Sequence, residues 1–238
     1  MSDEAIDTVR IGDADGIRTI TIDRPEVRNA MSLVMRERIR DGFTSASDDD
    51  AIDIVVITGA DPSFSAGVDL KEIQSPSGPP KRVNPAVAVR DCVKPTIAAV
   101  NGVCITGGLE IALACDIIVA SDQARFADTH AKAGLMPGWG MSAALPTAVG
   151  RRKAVELSLT GTFIDADEAS RIGLVNHLVP HDDLLARTYE LAQTIRVHDQ
   201  AVVRRQAALY RRANGLTFED ALALERQAAD EWRDARDD

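Results

Sequence analysis

The sequence is poor in cysteine and has no long uncharged hydrophobic run. Its three cysteines, Cys92, Cys104 and Cys115, are an odd number without CxxC spacing, so neither a disulfide framework nor a zinc site is indicated. Asp116 interrupts the apolar stretch of residues 111–120, and no segment reaches the roughly 18 apolar residues that suggest a membrane helix. These absences predict a globular protein in a reducing compartment, so we expect a cytoplasmic location and no membrane partner.

Signals for export and for nucleic-acid binding are also missing. Residues 1–10 are polar and acidic and lack the basic and apolar regions of a secretory signal. The formal net charge of -10 disfavours contact with a phosphate backbone. Basic residues do gather at Arg204, Arg205, Arg211 and Arg212, but among acidic neighbours we interpret them as a solvated helix face. No nucleic-acid partner is therefore expected.

The pattern of apolar residues predicts an α/β core. Two β-branched runs, residues 8–11 and 17–22, flank an Asp-Gly pair, which is typical of a hairpin. A helix is predicted over residues 32–47. Three nearly continuous apolar runs predict strands buried on both faces, and the helices between them imply parallel crossovers. These runs are residues 54–58, 96–100 and 117–120.

The last third of the sequence is predominantly helical. Helical periodicity begins at Arg151 and is broken by a short strand predicted over residues 174–179. One apolar stripe is predicted near the end, formed by Phe218, Ala221, Leu222, Ala229 and Trp232. Residues 75–80, Ser-Pro-Ser-Gly-Pro-Pro, predict a mobile surface loop. We therefore expect a core of residues 1–190 and a helical region of residues 191–238.

Two glycine-containing turns are candidate functional sites. Residues 64–70 (Phe-Ser-Ala-Gly-Val-Asp-Leu) and 101–110 (Asn-Gly-Val-Cys-Ile-Thr-Gly-Gly-Leu-Glu) each follow a predicted buried strand. A helix that begins at Gly107 would point a backbone N–H outward at its positive end, where it could hold an oxyanion. Each motif alone is better explained by a tight turn or helix start. Neither has the spacing of a P-loop or a dinucleotide fingerprint.

Together with three further segments, these turns resemble the enoyl-CoA hydratase/isomerase (crotonase) superfamily. The segments are residues 23–31 (Asp-Arg-Pro-Glu-Val-Arg-Asn-Ala-Met), 114–120 (Ala-Cys-Asp-Ile-Ile-Val-Ala) and 134–138 (Gly-Leu-Met-Pro-Gly). Order and spacing match from about residue 8 to residue 225. The resemblance implies an α/β fold, in which a spiral of ββα turns forms two roughly perpendicular sheets and a C-terminal helical region mediates trimers. A homotrimer or a dimer of trimers is expected.

The resemblance also implies the chemistry. The substrate would be an acyl-CoA thioester, with coenzyme A as part of the substrate and no metal or redox cofactor. The backbone N–H groups carried over to Val68 and Gly107 would hold the thioester oxygen as negative charge develops on it. Arg28 and Lys71 are also explained as plain surface charges. The residues that match the family's substrate-binding and CoA-binding segments are Val27, Arg28, Ala66, Val68, Asp69, Leu70, Lys71, Gly107, Pro137 and Trp139.

Two side chains are candidate acid/base catalysts. Glu110 matches the first of two glutamates that hold water over the double bond in hydratases of this family, although an acidic residue also suits a helix N-terminus without any catalysis. In residues 126–130, Phe-Ala-Asp-Thr-His, His130 stands where the second glutamate is expected. His130 is either a structural residue or a group that hydrogen-bonds the water or shuttles a proton.

Two further departures from the family concern the substrate pocket. Trp139 stands where many relatives have a small residue, and it either walls off the acyl pocket or packs under the following helix. Residues 231–238 do not form the basic and aromatic segment that often covers the acyl-CoA site, so we expect an effect on CoA affinity and pocket closure.

Three functions remain open on the sequence. The first is a 2-enoyl-CoA hydratase, a hydro-lyase that adds water through an oxyanion-stabilised enolate. The second is another acyl-CoA reaction on the same fold: thioester hydrolysis, decarboxylation or isomerisation. Isomerisation ranks below hydration because it commonly relies on an acid at the second position, where this chain has His130. The third is a catalytically silent acyl-CoA-binding protein. Glu110 disfavours this function, because a protein that only binds would not need a carboxylate in that helix turn.

Overall fold

The computed structural model describes residues 8–73 and 83–237, so the predicted loop of residues 75–80 lies outside the described residues. Within these ranges the strands are β1 Val9–Ala14, β2 Ile17–Ile22, β3 Ile54–Gly59, β4 Ser63–Ser65, β5 Thr96–Val100, β6 Val103–Ile105, β7 Ile117–Ser121, β8 Arg125–Ala127, β9 Ile164–Asp165 and β10 His177–Val179. The α-helices are α1 Leu33–Asp48, α2 Leu70–Ile73, α3 Pro85–Asp91, α4 Gly107–Ala114, α5 His130–Ala133, α6 Met141–Val149, α7 Arg151–Thr160, α8 Ala166–Arg171, α9 Leu184–Arg196, α10 Gln200–Ala213 and α11 Phe218–Asp237.

The first two strands form the predicted hairpin. They pair antiparallel from Val9 opposite Ile22 to Ala14 opposite Ile17. The turn consists of Asp15 and Gly16, which both have positive φ, at 47° and 70°. Asp-Gly pairs favour this turn because both central residues must adopt positive φ. The hairpin prediction is therefore confirmed.

A larger sheet carries the predicted buried strands in the order β1-β2-β3-β5-β7-β10. From β2 onward, neighbouring strands are parallel. Strands β3 and β5 are buried at every position, because helices cover one face and the rest of the core covers the other. The prediction of parallel strands with buried faces is confirmed.

A smaller sheet in the order β4-β6-β8-β9 explains how the site forms. After each of the large-sheet strands β3, β5 and β7, the chain adds one three-residue strand to the small sheet and then leads into a helix. This repeated ββα unit agrees with the predicted spiral. Since β4, β6 and β8 are parallel, the turns that follow them leave the sheet at one edge.

The C-terminal helices are tied to the core by buried and charged side chains. The predicted boundary between residues 190 and 191 falls within α9, which contributes Leu184 and Ala192 to the packing under the large sheet. Arg204 of α10 pairs with Asp53 at 3.4 Å. None of the helices in the described part of the chain combines the length and apolarity that crossing a bilayer requires.

Two sequence predictions in this region need correction. Arg204 and Arg211 are not on a solvated face. Arg204 pairs with Asp53, and Arg211 pairs with Asp116 and donates to the Lys94 carbonyl at 2.9 Å, so both side chains anchor α10. The strand predicted over residues 174–179 is shorter, because Leu174 and Val175 pack into the core and the strand begins only at His177.

Candidate active site

The two glycine turns meet at the edge of the small sheet. A Cβ atom built on Gly67 would lie 3.1 Å from the Gly107 nitrogen and 2.2 Å from Thr106 Oγ1. Gly67 also has a φ of 89°, a conformation that other L-residues rarely adopt. Glycine is therefore required at residue 67, and its absence of a side chain lets the turns after β4 and β6 touch.

The N–H of Gly107 is aimed by a strained residue. Thr106 precedes α4 with φ 47° and ψ −118°, and such a conformation costs about 1 to 3 kcal/mol in a non-glycine residue. Contacts hold it in place: Thr106 N donates to the Ala127 carbonyl at 3.2 Å, and Oγ1 donates to the Ala66 carbonyl at 3.3 Å. The strain turns the peptide plane that carries the Gly107 N–H, which then stands at the first position of α4.

The N–H of Val68 belongs to an isolated bridge, whose two hydrogen bonds are made by its neighbours. Met31 N donates to the Gly67 carbonyl at 2.7 Å, and Asp69 N donates to the Met31 carbonyl at 3.0 Å. In an extended chain the intervening Val68 N–H points to the opposite side. Among the described residues, the N–H groups of Val68 and Gly107 have no protein acceptor. Two neighbouring unpaired donors of this kind are suited to an oxyanion.

Glu110 lies one helical turn after Gly107 and is 3% exposed. Its Oε1 atom accepts the N–H groups of Trp139 at 2.7 Å and Met141 at 3.1 Å. The carboxylate is thereby held in one orientation, which leaves Oε2 free of these backbone donors. Oε2 lies 3.7 Å from Nε2 of His130. The structure thus brings the two predicted acid/base residues together.

Sequence reasoning missed a third ionisable group, Asp128. Its Oδ1 lies 2.6 Å from Nδ1 of His130, and the two side chains are 2% and 10% exposed. Burial by itself raises the pKa of the Asp128 carboxyl, but hydrogen bonds from His130 and Ser158 outweigh burial and hold the pKa below its usual range. The signal available in the sequence was the Asp-Thr-His spacing, which places the carboxylate two residues before the imidazole.

The segments predicted to contact coenzyme A lie side by side. Ala66 N donates to the Arg28 carbonyl at 2.9 Å, so the loop with Val27 runs along the turn after β4. Arg28 is exposed there, and Leu70 and Lys71 are exposed at the start of α2.

The carboxylate of Asp69 is engaged within the protein. It accepts from Arg24 at 2.7 Å and from the Lys71 N–H at 3.0 Å. Burial raises the pKa of the Asp69 carboxyl, but the hydrogen bond from Arg24 and further contacts outweigh it, so the pKa lies below its usual range. Any contact of Asp69 with a ligand would therefore use its backbone.

Trp139 lies against α4. A Cβ atom built on Gly107 would be 2.8 Å from the indole ring, so a larger residue at this position requires the indole or the backbone to shift. Trp139 also lines a groove of about 1240 Å³ with Glu110, Leu113, Ala143 and Ala144. Trp139 also packs against the hydrophobic core, so both alternatives, a wall of the acyl pocket and packing under the following helix, stay predictions. Pro137, half-buried, lies two residues earlier in the same turn.

A ββα spiral brings two N–H groups, which have no acceptor in the described part of the chain, beside the buried side chains of Glu110 and His130. This arrangement defines an α/β protein with a site suited to an oxyanion. A family model described as enoyl-CoA hydratase/isomerase matches residues 12–237. The chain belongs to the enoyl-CoA hydratase/isomerase family, and the predicted crotonase-like fold is confirmed by the solved structures that resemble it.

Three relatives illustrate the likeness. The chain is 38% identical over 220 residues to a probable peroxisomal enoyl-CoA hydratase 1 of Arabidopsis thaliana, covering 91% of this chain and 83% of the relative. It is 33% identical to a crotonyl-CoA hydratase of Syntrophomonas wolfei, covering 94% and 89%. A crystal structure of an enoyl-CoA hydratase from Mycobacterium tuberculosis superposes with a TM-score of 0.80 at 43% identity, covering 95% and 99%.

Proposed function

We propose that this protein is an enoyl-CoA hydratase, which adds water across the double bond of a 2-enoyl-CoA thioester. The observation that carries the proposal is the pairing of Glu110 Oε2 with His130 Nε2, 3.7 Å apart, one helical turn from the Gly107 N–H. Hydration needs a base for the attacking water and an acid for the α-carbon, beside donors for the thioester oxygen. The names of the relatives support the same reaction.

In this proposal the two turns bind the thioester oxygen. The N–H groups of Val68 and Gly107 stabilise the negative charge of the enolate, and losing one such donor costs about 100- to 1,000-fold in rate. Because both donors belong to the backbone, a change of the Val68 side chain should matter less than a change that moves the turn.

Glu110 and His130 then divide the proton transfers. Glu110 Oε2 takes a proton from water as the water oxygen bonds to the β-carbon, and His130 Nε2 gives a proton to the α-carbon. The proton on Glu110 then returns to His130 across the 3.7 Å that separates them. Water is consumed and no oxidation state changes, so no redox cofactor is needed. The backbone donors stabilise the charge and the two side chains move the protons, so the proposal includes no metal.

The remaining predicted contacts serve coenzyme A. We assign the exposed Arg28 and Lys71 side chains to the CoA phosphates, where positive charge is favourable. The backbone and apolar groups of the neighbouring loops would line the pantetheine. These residues are Val27, Ala66, Val68, Asp69 and Leu70, with Pro137 and Trp139 facing the acyl part.

We also propose that the C-terminal helices assemble a homotrimer or a dimer of trimers. Helix α10 buries no residue within the single chain, and large apolar side chains lie exposed around it. Tyr210 is 80% exposed and Phe218 is 77% exposed. Exposed apolar groups of this kind mark association surfaces. A cytoplasmic location remains our proposal for the compartment.

The test is turnover of crotonyl-CoA by the wild-type protein. Hydration removes the conjugated enoyl-thioester absorbance, adds the mass of one water and leaves the thioester intact, so no free thiol appears. Release of free CoA thiol would assign hydrolysis, and a product of unchanged mass would assign isomerisation. Because crotonyl-CoA has no free carboxyl group, decarboxylation is tested by loss of carbon dioxide from a carboxyacyl-CoA in a parallel assay. Binding of crotonyl-CoA without any product would assign the catalytically silent protein.

A further inference from the structure

The proposed reaction leaves the buried carboxylate of Asp128 without a role. Its Oδ1 lies 2.6 Å from His130 Nδ1 and also accepts the His130 backbone N–H at 3.2 Å. With the side chain only 2% exposed, water offers this charge little stabilisation. The state of Asp128 therefore depends on the groups that it contacts, and His130 is foremost among them.

The contact decides which ring nitrogen of His130 faces the substrate. An ionised carboxylate can only accept hydrogen bonds, so Nδ1 must carry the shared proton. The partner of one imidazole nitrogen sets the tautomer and orientation of the ring. Nε2 is then the nitrogen that remains for chemistry, and it is the one that faces Glu110.

The same contact favours a positive charge on the ring. Across the described ranges, Asp128 and Glu110 are the acidic side chains within 4.0 Å of the His130 ring nitrogens. Helix α7 packs against α5 and contributes the Ser158 hydroxyl, which hydrogen-bonds Asp128 and carries no charge. Two carboxylates that face one imidazole favour a proton on each ring nitrogen, and this attraction must outweigh the cost of burying the ring, which is 10% exposed.

The net charge of the site supports this assignment. Ionised Asp128, protonated His130 and ionised Glu110 together carry a charge of about −1. The two glutamates expected from the family would carry the same charge. They would share one proton, because two like charges close together disfavour double ionisation. Replacing the second glutamate by a protonated histidine makes the net charge of the site more positive by one. The negative charge of Asp128 returns the net charge to its former value.

We propose that Asp128 is a positioning residue, which keeps His130 protonated on both ring nitrogens and aims the Nε2 proton at the α-carbon of the substrate. The inference rests on the proposed hydration. Water bonds to the β-carbon and loses a proton to Glu110, while the π electrons of the double bond move to form the enolate. The enolate then takes the Nε2 proton of His130 at its α-carbon. The proton on Glu110 afterwards restores His130, so the site is ready for the next water.

Asp128→Asn tests the inference because the amide keeps the shape and the acceptor oxygen but loses the charge. Imidazole ¹⁵N spectra of histidine-labelled protein report the ring state, and the chain has only four histidines to resolve. We expect both His130 nitrogens to be protonated in the wild type at pH 7 and a neutral ring in Asp128→Asn. With crotonyl-CoA, kcat should fall roughly 100-fold or more, while KM changes by less than about threefold.

Ser158→Ala is the matched control. It removes the hydroxyl that donates a hydrogen bond to Asp128 and keeps the carboxylate itself. It should retain the charged ring and kcat within about threefold. A neutral ring in the wild type overturns the inference, and so does an unchanged ring or kcat in Asp128→Asn. Equal losses of kcat and melting temperature in both variants would make the role of Asp128 structural. The ring spectra are taken without substrate, so a wild type that fails to hydrate refutes the proposed function separately.

Discussion

The indole of Trp139 lies over the Cα atom of Gly107, so close that a methyl group at residue 107 would come within 2.8 Å of the ring. The contact links the turn before α6 to the first N–H of α4. A side chain at residue 107 must displace either the indole or the peptide that carries the N–H. The position of the proposed oxyanion donor therefore depends on glycine at one residue and on tryptophan at another.

Gly107→Ala should lower kcat/KM for crotonyl-CoA by about 100-fold or more, because the added methyl group shifts an oxyanion donor. Gly12→Ala is the control, since a Cβ atom there meets nothing within 4 Å. Steady-state kinetics of both variants test the assignment. Equal activity in the two variants would contradict the role of the Gly107 N–H.

Trp139→Ala should extend the acyl pocket. Removing the indole opens the groove beside Glu110, so the ratio of kcat/KM for a long enoyl-CoA to that for crotonyl-CoA should rise about tenfold. Phe163→Ala removes a partly exposed ring outside that groove and should leave the ratio unchanged. A ratio that stays constant in Trp139→Ala would show that the indole does not limit chain length.

The ion pair of Asp69 with Arg24 should make part of the stability depend on pH. Because the folded state lowers the pKa of Asp69, its contribution is present above the ordinary value of 3.8 and is lost as pH falls through the lowered pKa. Asp69→Asn should cost about 1 to 2 kcal/mol of unfolding free energy at pH 7 and less near pH 3. Urea unfolding at both pH values measures this.

The exposed Asp234→Asn serves as the control for Asp69→Asn and should change the unfolding free energy little at either pH. A loss in Asp69→Asn that is the same at pH 3 as at pH 7 would exclude the ion pair as its cause.

Phe218→Asp should weaken the proposed assembly. The side chain is 77% exposed in the single chain, and a charge there would be buried without a partner in a trimer. Light scattering on eluting protein should give three or six chains for the wild type and fewer for the variant at the same concentration. A monomeric wild type would contradict the assembly.

The sequence was most informative where burial decides the local pattern. Strands β3, β5 and β7 were predicted because their side chains are apolar on both faces, and α4 was placed because helix formers follow Gly107. The three-residue strands of the small sheet are too short to have a period. Their pairing depends on the strands of the large sheet that precede and position them, so they could not be predicted from local residues.

The candidate site was predictable in part for the same reason. The resemblance supplied Glu110 and His130, and the structure places them 3.7 Å apart. Asp128 was missed because a buried carboxylate is recognised by its partner, which only the fold reveals. Arg211 was misinterpreted because its partner, Asp116, lies 95 residues away in the sequence.

The most direct test of the account is the rate of crotonyl-CoA hydration by Glu110→Gln beside Glu156→Gln. Glutamine keeps the size of the side chain but cannot accept the proton of water, whereas Glu156 is exposed on α7. We predict that Glu110→Gln loses at least about 100-fold in kcat and that Glu156→Gln keeps the wild-type rate. Wild-type turnover by Glu110→Gln would contradict the assignment of Glu110 as the base.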